Sequence, residues 1–295
     1  MVTKTEGSAA ENSPKCAHYG STSRYMCDGG SDYASRSQFD AVLGPDVFAN
    51  RSAYFVGDSM ALQHMHAFAC ALRADVPSGN LTAALKRAAV NASRVGDTNQ
   101  CFVRRSGRGG GRVCQVTAGS VFTGWSVGEA CRALTGLLAP GDVVIANEGL
   151  WWRAFTFNTP EADGYAREMK RIRELDAEVI RGIRAAGAVL LWRETSAQHF
   201  DRTPTGQYKT GCVNDCGHCR PVQTPQPLRR RNHDINRYFR GLNVSVLETF
   251  EASLKMWNEH VARRSRVLPK GLLDCTHFCA PSPIFTALTP RIARS

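Results

Sequence analysis

Short apolar runs recur along the chain with segments of helical character between them, and a long Cys/Pro/Gly/Arg loop is expected from Glu194 to Asn232. Ser52–Val56 mixes aromatic and β-branched residues and reads as a strand. Asp142–Asn147 and Ala188–Arg193 read as buried strands, and Asn243–Leu247 as another. Met60 to Arg73 sets Leu62, Met65, His66, Ala69 and Cys70 near one helical face. Ser126-Val-Gly-Glu129 is a capping box ahead of a helix over Val127–Leu138. Thr159-Pro160-Glu161 opens a helix expected to run to about Ala186. Shorter helices are expected over His233–Arg240, Phe250–Ala262 and Ile284–Leu288. Strands separated by helices must pair through crossovers. The prediction is an α/β fold, a three-layer parallel sheet with helices on both faces. Functional groups in such sheets gather at the carboxyl ends of the strands. Ser59, Asn147 and Arg193–Thr195 each follow a predicted strand.

With 295 residues, 43% of them hydrophobic, the chain can build one large core, although its length would also allow two domains. A Cys-containing N-terminal segment over residues 1–50 and a catalytic domain over 51–295 are expected. The 11 cysteines fall in pairs and clusters, Cys16/Cys27, Cys101/Cys114, Cys212/Cys216/Cys219 and Cys275/Cys279. Sequons for N-glycosylation begin at Asn50, Asn80, Asn91 and Asn243. Together these features predict an oxidising compartment with disulfide-tied loops. The odd cysteine count leaves a free thiol or an intermolecular bridge. The longest apolar runs are too short to cross a bilayer. A lumenal protein of this sequence is therefore expected to owe its targeting or anchoring to a segment missing from this chain.

The formal net charge is +11, concentrated in the runs Arg104–Arg112, Arg229–Arg231 and Arg263–Arg266. Such charge attracts polyanions. No zinc-finger, RNA-recognition or helix-turn-helix pattern accompanies it, and stacking aromatics are not interleaved with it, so a nucleic acid partner is not expected. An acidic polysaccharide is the expected partner in a lumen, and solvated loops account for the arginines equally well.

Two short segments carry the chemistry. Gly57-Asp58-Ser59 joins a strand to a helix. A serine there would have its Oγ exposed, with the helix amides behind it to meet an oxyanion. Serine needs a base, and the base needs an orienting carboxylate. Asp274-Cys-Thr-His277 can supply both from one turn. Asn147, at another strand end, could donate to an oxyanion. Trp151 and Trp152 next to it could stack on a sugar, although such tryptophans are more often core. The cluster Cys212-x3-Cys216-x2-Cys219, with His218 and His233, has the ligand density of a zinc site. It fits no standard finger, and disulfides are favoured in an oxidising lumen, so no metal is expected. Of His64 and His66, one is expected to pack and one to be exposed, neither as a ligand.

These residues resemble a known family, the plant trichome birefringence-like proteins of the PC-esterase group in the SGNH/GDSL hydrolase superfamily. Phe55-Val-Gly-Asp-Ser59 with Gln63 is similar to the family's first block, and Phe39-Asp40 to the Phe-Asp ahead of it. Asn147-Glu-Gly-Leu-Trp-Trp152 resembles its Asn-x-Gly-x-Trp-Trp segment. Arg193-Glu-Thr-Ser-Ala-Gln-His-Phe200 resembles its Arg-Thr-x-Ser-Pro-x-His-Phe segment. Asp274-Cys-Thr-His-Phe-Cys279, followed by Ala-Pro, resembles its Asp-Cys-x-His-Trp-Cys-Leu-Pro block. The matches keep the family's order over nearly the whole chain.

The resemblance implies an SGNH-hydrolase-like fold and polysaccharide O-acetylation in the Golgi through an acetyl-serine. Ser59, Asp274 and His277 would be the triad and Asn147 the oxyanion asparagine. Gly57, Asp58, Trp151, Trp152, Arg193 and His199 would contribute to oxyanion or substrate binding. No bound cofactor is implied. The acetyl group would come from a donor such as acetyl-CoA or be relayed by a membrane partner, and the acceptor would be a polysaccharide or glycan. The chain departs from the family in having Met60-Ala-Leu where it has Ser-Arg-Asn. Its oxyanion glycine is not obvious, Gly119 and Gly124 being the candidates. Two other readings are an O-acetyl esterase with the same triad and a glycan-binding protein without catalysis.

Overall fold

A computed structural model describes residues 50–72, 74–95, 98–104, 111–119, 124–148, 161–201, 219–222, 226–257, 260, 275–278, 283–288, 291–292 and 295. At its centre lies β1 (Ala53–Gly57), with every residue buried. It pairs in parallel with β4 (Arg112–Thr117) and β5 (Val143–Ala146). Parallel pairing continues to β6 (Val189–Arg193) and β7 (Ser245–Leu247). On the other side, β3 (Gln100–Arg104) runs antiparallel to β4, and β2 (Ala74–Pro77) antiparallel to β3. The seven strands follow the order β2-β3-β4-β1-β5-β6-β7.

The sheet is therefore mixed, where the sequence predicted a parallel one. The difference lies in residues 74–120, which lack a long apolar run. There β3 and β4 form an antiparallel pair in which Cys101 lies opposite Cys114, and the two are joined by a disulfide. An antiparallel edge on an otherwise parallel sheet needs no buried crossover and can be built from short strands.

Alternation along β1 sorts the core into two layers. Ala53 and Phe55 pack with Val143, Ile145 and Leu191 on one face. Over that face lies α1 (Ser59–Ala71), through Ala61, Met65 and Phe68. Tyr54 and Val56 pack on the opposite face with Val144, Ala146 and Trp192. That face is covered by α2 (Leu81–Ala88), α3 (Val127–Leu134), α5 (Ala177–Ala185) and α6 (Pro227–Gly241). Helices on both faces of one sheet make a three-layer α/β fold.

The capping box at α3 forms as its sequence predicts. The Ser126 hydroxyl accepts from Glu129 N–H at 3.1 Å, and the Glu129 carboxylate from Ser126 N–H at 2.9 Å. The single helix expected up to Ala186 is instead two, α4 (Glu161–Ile172) and α5. The break falls at Asp176, whose carboxylate accepts from the N–H groups of Glu178 and Val179 at 3.0 Å each and so restarts the helix. The helix expected at His233 begins earlier, with Pro227 in its first turn. The helix expected over Phe250–Ala262 is a single turn, α7 (Phe250–Ser253). The terminal helix is α8 (Pro283–Thr286), packed on α1. Of the expected N-terminal segment, residues 1–49 lie outside the described residues.

Candidate active site

The carboxyl ends of β4, β1 and β5 meet at Gly57. Ala118 N–H donates to the Gly57 carbonyl at 3.0 Å, and Asn147 N–H to the Val56 carbonyl at 2.9 Å. The approach is so close that a Cβ on Gly57 would lie 2.4 Å from the Asn147 carbonyl oxygen. Only glycine fits, and its φ of +154° lets the chain leave β1 and turn at once into α1. Asp58 is buried and caps that helix, with Oδ1 accepting from Met60 N–H at 2.9 Å. Ser59 is thereby the first helical residue, half-buried at the helix N-terminus.

His277 reaches the same point from the far end of the chain. Its Nε2 lies 2.7 Å from Ser59 Oγ across a separation of 218 residues. Four ties hold its loop. Cys275 is disulfide-bonded to Cys219. The Gln63 side chain, one turn after Ser59, donates to the Phe278 carbonyl and accepts from Phe278 N–H at 3.2 Å. The Gln198 amide donates to Thr276 Oγ1 at 2.8 Å. The Cys275 carbonyl accepts from His199 N–H at 3.1 Å. Asp274, Trp151 and Trp152 lie outside the described residues.

The other predicted residues are brought to the same sheet edge in different roles. Arg193 is fully buried at the end of β6 and donates through Nη2 to Asn147 Oδ1 at 2.8 Å. Burial pulls its guanidinium down to about 10, and the nearby Asp58 carboxylate opposes this, so it remains a cation at neutral pH. The Asn147 amide donates to the Arg193 carbonyl at 2.9 Å and to Thr195 Oγ1 at 3.4 Å. Both of its N–H groups are thus engaged with the segment after β6, and serving an oxyanion would require releasing one. Gly119 N–H is similarly engaged, with the Trp125 carbonyl at 2.8 Å. His199 is buried, with Nδ1 2.6 Å from His260 Nε2 and Nε2 3.2 Å from the Leu254 carbonyl. These contacts make it part of the scaffold behind His277. His64 and His66 are both buried, contrary to the expectation that one is exposed. The His64 ring sits between Phe55 and Phe285, and burial drives its imidazolium well below the ordinary range, with Arg193 adding to the effect.

Buried charges surround the site, and one of them, Arg231, comes from the Arg229–Arg231 run expected to be solvated or to meet a polyanion; it is instead buried in α6. Glu148, next to Asn147, pairs with Arg171 at 2.9 Å, and its carbonyl accepts from Arg231 at 3.3 Å. Arg231 also pairs with Glu168 in the interior. Burial raises the Glu148 carboxyl, with Arg171 opposing, and lowers the Arg231 guanidinium to about 9. Glu194 accepts from Thr249 N–H at 2.8 Å, Phe250 N–H at 2.9 Å and the Asn236 amide at 2.5 Å, which fixes the start of α7. A lone Glu, or one Arg within an arginine run, carries no mark of such burial. Gln63 alone was legible, through the resemblance of its block. The zinc reading of the cysteine cluster loses a ligand, because Cys219 is consumed in its disulfide. Cys212, Cys216 and His218 lie outside the described residues, and His233 is exposed.

No protein-family model matches the chain, and no curated protein does. The disulfides Cys101–Cys114 and Cys219–Cys275 fit an oxidising compartment, and the four sequon asparagines are all exposed. No described helix is long and apolar enough to cross a membrane.

Proposed function

We propose that this chain is a serine-dependent O-acyltransferase that moves an acetyl group to a glycan hydroxyl through an acyl-Ser59. The observation that carries this reading is the 2.7 Å contact between Ser59 Oγ and His277 Nε2 at the N-terminus of α1. His277 takes the Ser59 proton as Oγ attacks the donor's acyl carbonyl. The tetrahedral oxyanion forms beside the start of α1, where the Ser59 amide and the positive end of the helix dipole favour negative charge. Its collapse expels the donor's leaving group, protonated by His277, and leaves the acyl ester on Ser59. A sugar hydroxyl then attacks that ester, His277 takes its proton, and the second collapse returns the proton to Ser59. Asp274 would orient His277 Nδ1.

The sequence motifs supply the acetyl group and the glycan in this reading, with acetyl-CoA or a membrane partner as donor and the Golgi lumen as location. An esterase would use the same acyl-serine and pass it to water. Intact mass after exposure to an activated acetyl ester, with and without a xylan or pectin oligosaccharide, separates the two. A Ser59-dependent adduct that discharges faster onto sugar than into water is the expected result. Discharge to water alone would make the protein an esterase. A folded protein with no adduct would count against acyl chemistry and leave glycan binding. Ser59→Ala and His277→Ala are expected to abolish the adduct without unfolding the chain.

A further inference from the structure

Behind the His277 loop, two buried imidazoles meet edge to edge. His199 is 0% and His260 3% exposed, and His199 Nδ1 lies 2.6 Å from His260 Nε2. The outer nitrogen of each ring faces a backbone carbonyl. His199 Nε2 is 3.2 Å from the Leu254 oxygen, and His260 Nδ1 is 3.0 Å from the His277 oxygen.

A carbonyl oxygen can only accept, so both outer nitrogens must carry hydrogen. A neutral imidazole has one N–H, and here each ring has already used it. The two inner nitrogens would then face each other as bare lone pairs at 2.6 Å, which is repulsive. A proton between them turns that repulsion into a charge-assisted hydrogen bond. Three contacts therefore require three protons on two rings.

We propose that His199 and His260 form a proton-sharing pair, one imidazole and one imidazolium exchanging a single proton, and that His260 is thereby a positioning residue for His277. The third proton comes from water on acidification. While it is held, His260 Nδ1–H is fixed on the His277 carbonyl, and its ring stacks on Phe278 with centroids 4.4 Å apart. When it leaves, two protons remain for three contacts, and one contact must open. The Leu254 contact is the longest of the three. The pair titrates as a unit, not as two independent histidines.

Among the described residues, the titratable and charged groups next to the pair's contacts are His277 on the base loop, Lys255 beside the accepting Leu254 in the chain, and Arg220, which pairs with Asp201. Arg220 N–H donates to the His199 carbonyl at 3.0 Å. Burial pulls the His199 imidazolium down, and the Leu254 carbonyl pulls it up. Burial is the larger effect, so the His199 imidazolium lies below its ordinary value. The role assigned to His277 rests on the acyl-transfer reading, whereas the shared proton does not.

The test is two-bond proton–nitrogen correlation on protein labelled with 15N-histidine, from pH 5 to 9. The expected result is one imidazolium's worth of charge spread over both rings at the acid end, lost in a single step seen at both rings together. Two rings that stay neutral over the whole range, or that titrate at separate pH values, would overturn the shared proton. In His199→Phe the His260 step should move and become that of a lone ring. In His260→Phe the His277 ring signals should shift, and His260→Asn, which keeps a donor for the His277 carbonyl, should restore them. His277 signals indifferent to both His260 variants would overturn the positioning role. None of these readouts needs turnover, so a protein that shows the shared proton but forms no acyl adduct would refute the proposed function alone.

Discussion

Replacing Gly57 with alanine puts the tightest point of the site under direct strain. The new Cβ would sit 2.4 Å from the Asn147 carbonyl oxygen and 3.0 Å from Ala61 Cβ. An ordinary carbon–oxygen contact is about 3.3 Å, so something must move by roughly 0.9 Å. The carbonyl cannot swing away cheaply, because its own residue is tied to Val56 at 2.9 Å. The backbone at +154° adds strain for any residue with a side chain. Overpacking costs about 1–3 kcal/mol and a strained φ about 1–3 kcal/mol, for a total of about 2–6 kcal/mol. In a domain of this size that lowers Tm by about 5–20 °C. Gly57 and Ala61 each lie two positions from Ser59, and a misplacement near 1 Å slows a positioned reaction about 100-fold. Thermal unfolding followed by circular dichroism reads the first effect, and the rate of Ser59 acylation by an activated ester reads the second. Gly136→Ala is the control, since a Cβ there meets nothing within 4 Å and should change stability by less than about 0.5 kcal/mol. A Gly57→Ala protein with the melting temperature and acylation rate of the parent would refute this account of the strand-to-helix turn.

Three further outcomes follow from the ties around the site. Gln63→Leu leaves the Phe278 amide and carbonyl without their described partners, and a buried unpaired group costs about 1–3 kcal/mol. Ser59 acylation should slow even in variants that remain folded, and an unchanged rate would show that the loop does not depend on this clamp. His64 has a depressed folded-state value, so below its ordinary 6.5 the unfolded chain takes up a proton that the folded one refuses. Stability present above pH 6.5 is then lost on acidification by about 1.4 kcal/mol per pH unit, and denaturant titrations of His64→Phe should lose that part of the slope. Removing the Cys219–Cys275 disulfide, which closes a separation of 56 residues, should lower stability by about 4 kcal/mol on the chain-entropy relation. Chemical denaturation of the double serine variant with a midpoint equal to the parent's would exclude that contribution.

Much of the central architecture was legible because it rests on local chemistry. The runs that became β1, β5 and β6 are apolar because both faces of those strands are covered, and the capping box at Ser126 and Glu129 announces its helix. The edge formed by β2, β3 and β4 was not legible, since Gln100–Arg104 and Arg112–Thr117 are short and partly polar, and their antiparallel ladder, from Gln100 opposite Gln115 to Val103 opposite Arg112, leaves no long apolar run to read. The break between α4 and α5 turns on Asp176, a capping residue inside a continuous helical pattern, where propensity and local hydrogen bonding compete. At the site, Ser59 and His277 stood out because each sits in a short, chemically distinctive segment. His260 did not, because a single histidine in a polar stretch gives no sign that it will be buried against another. The engagement of the Asn147 amide with Arg193 and Thr195 depends on where β5 and β6 end relative to each other, which is a matter of register.

The separation of 218 positions from Ser59 to His277 also orders events in time. During synthesis at about 5–20 residues per second, Ser59 leaves the ribosome roughly 10–40 s ahead of His277. In that interval β1 and α1 can form while Ser59 lacks its His277 contact. α8, which follows His277 and packs on α1 with Phe285 against His64, docks in the same closing stage. Under the proposed function, a nascent chain would be chemically silent until the segment around His277 has folded onto α1.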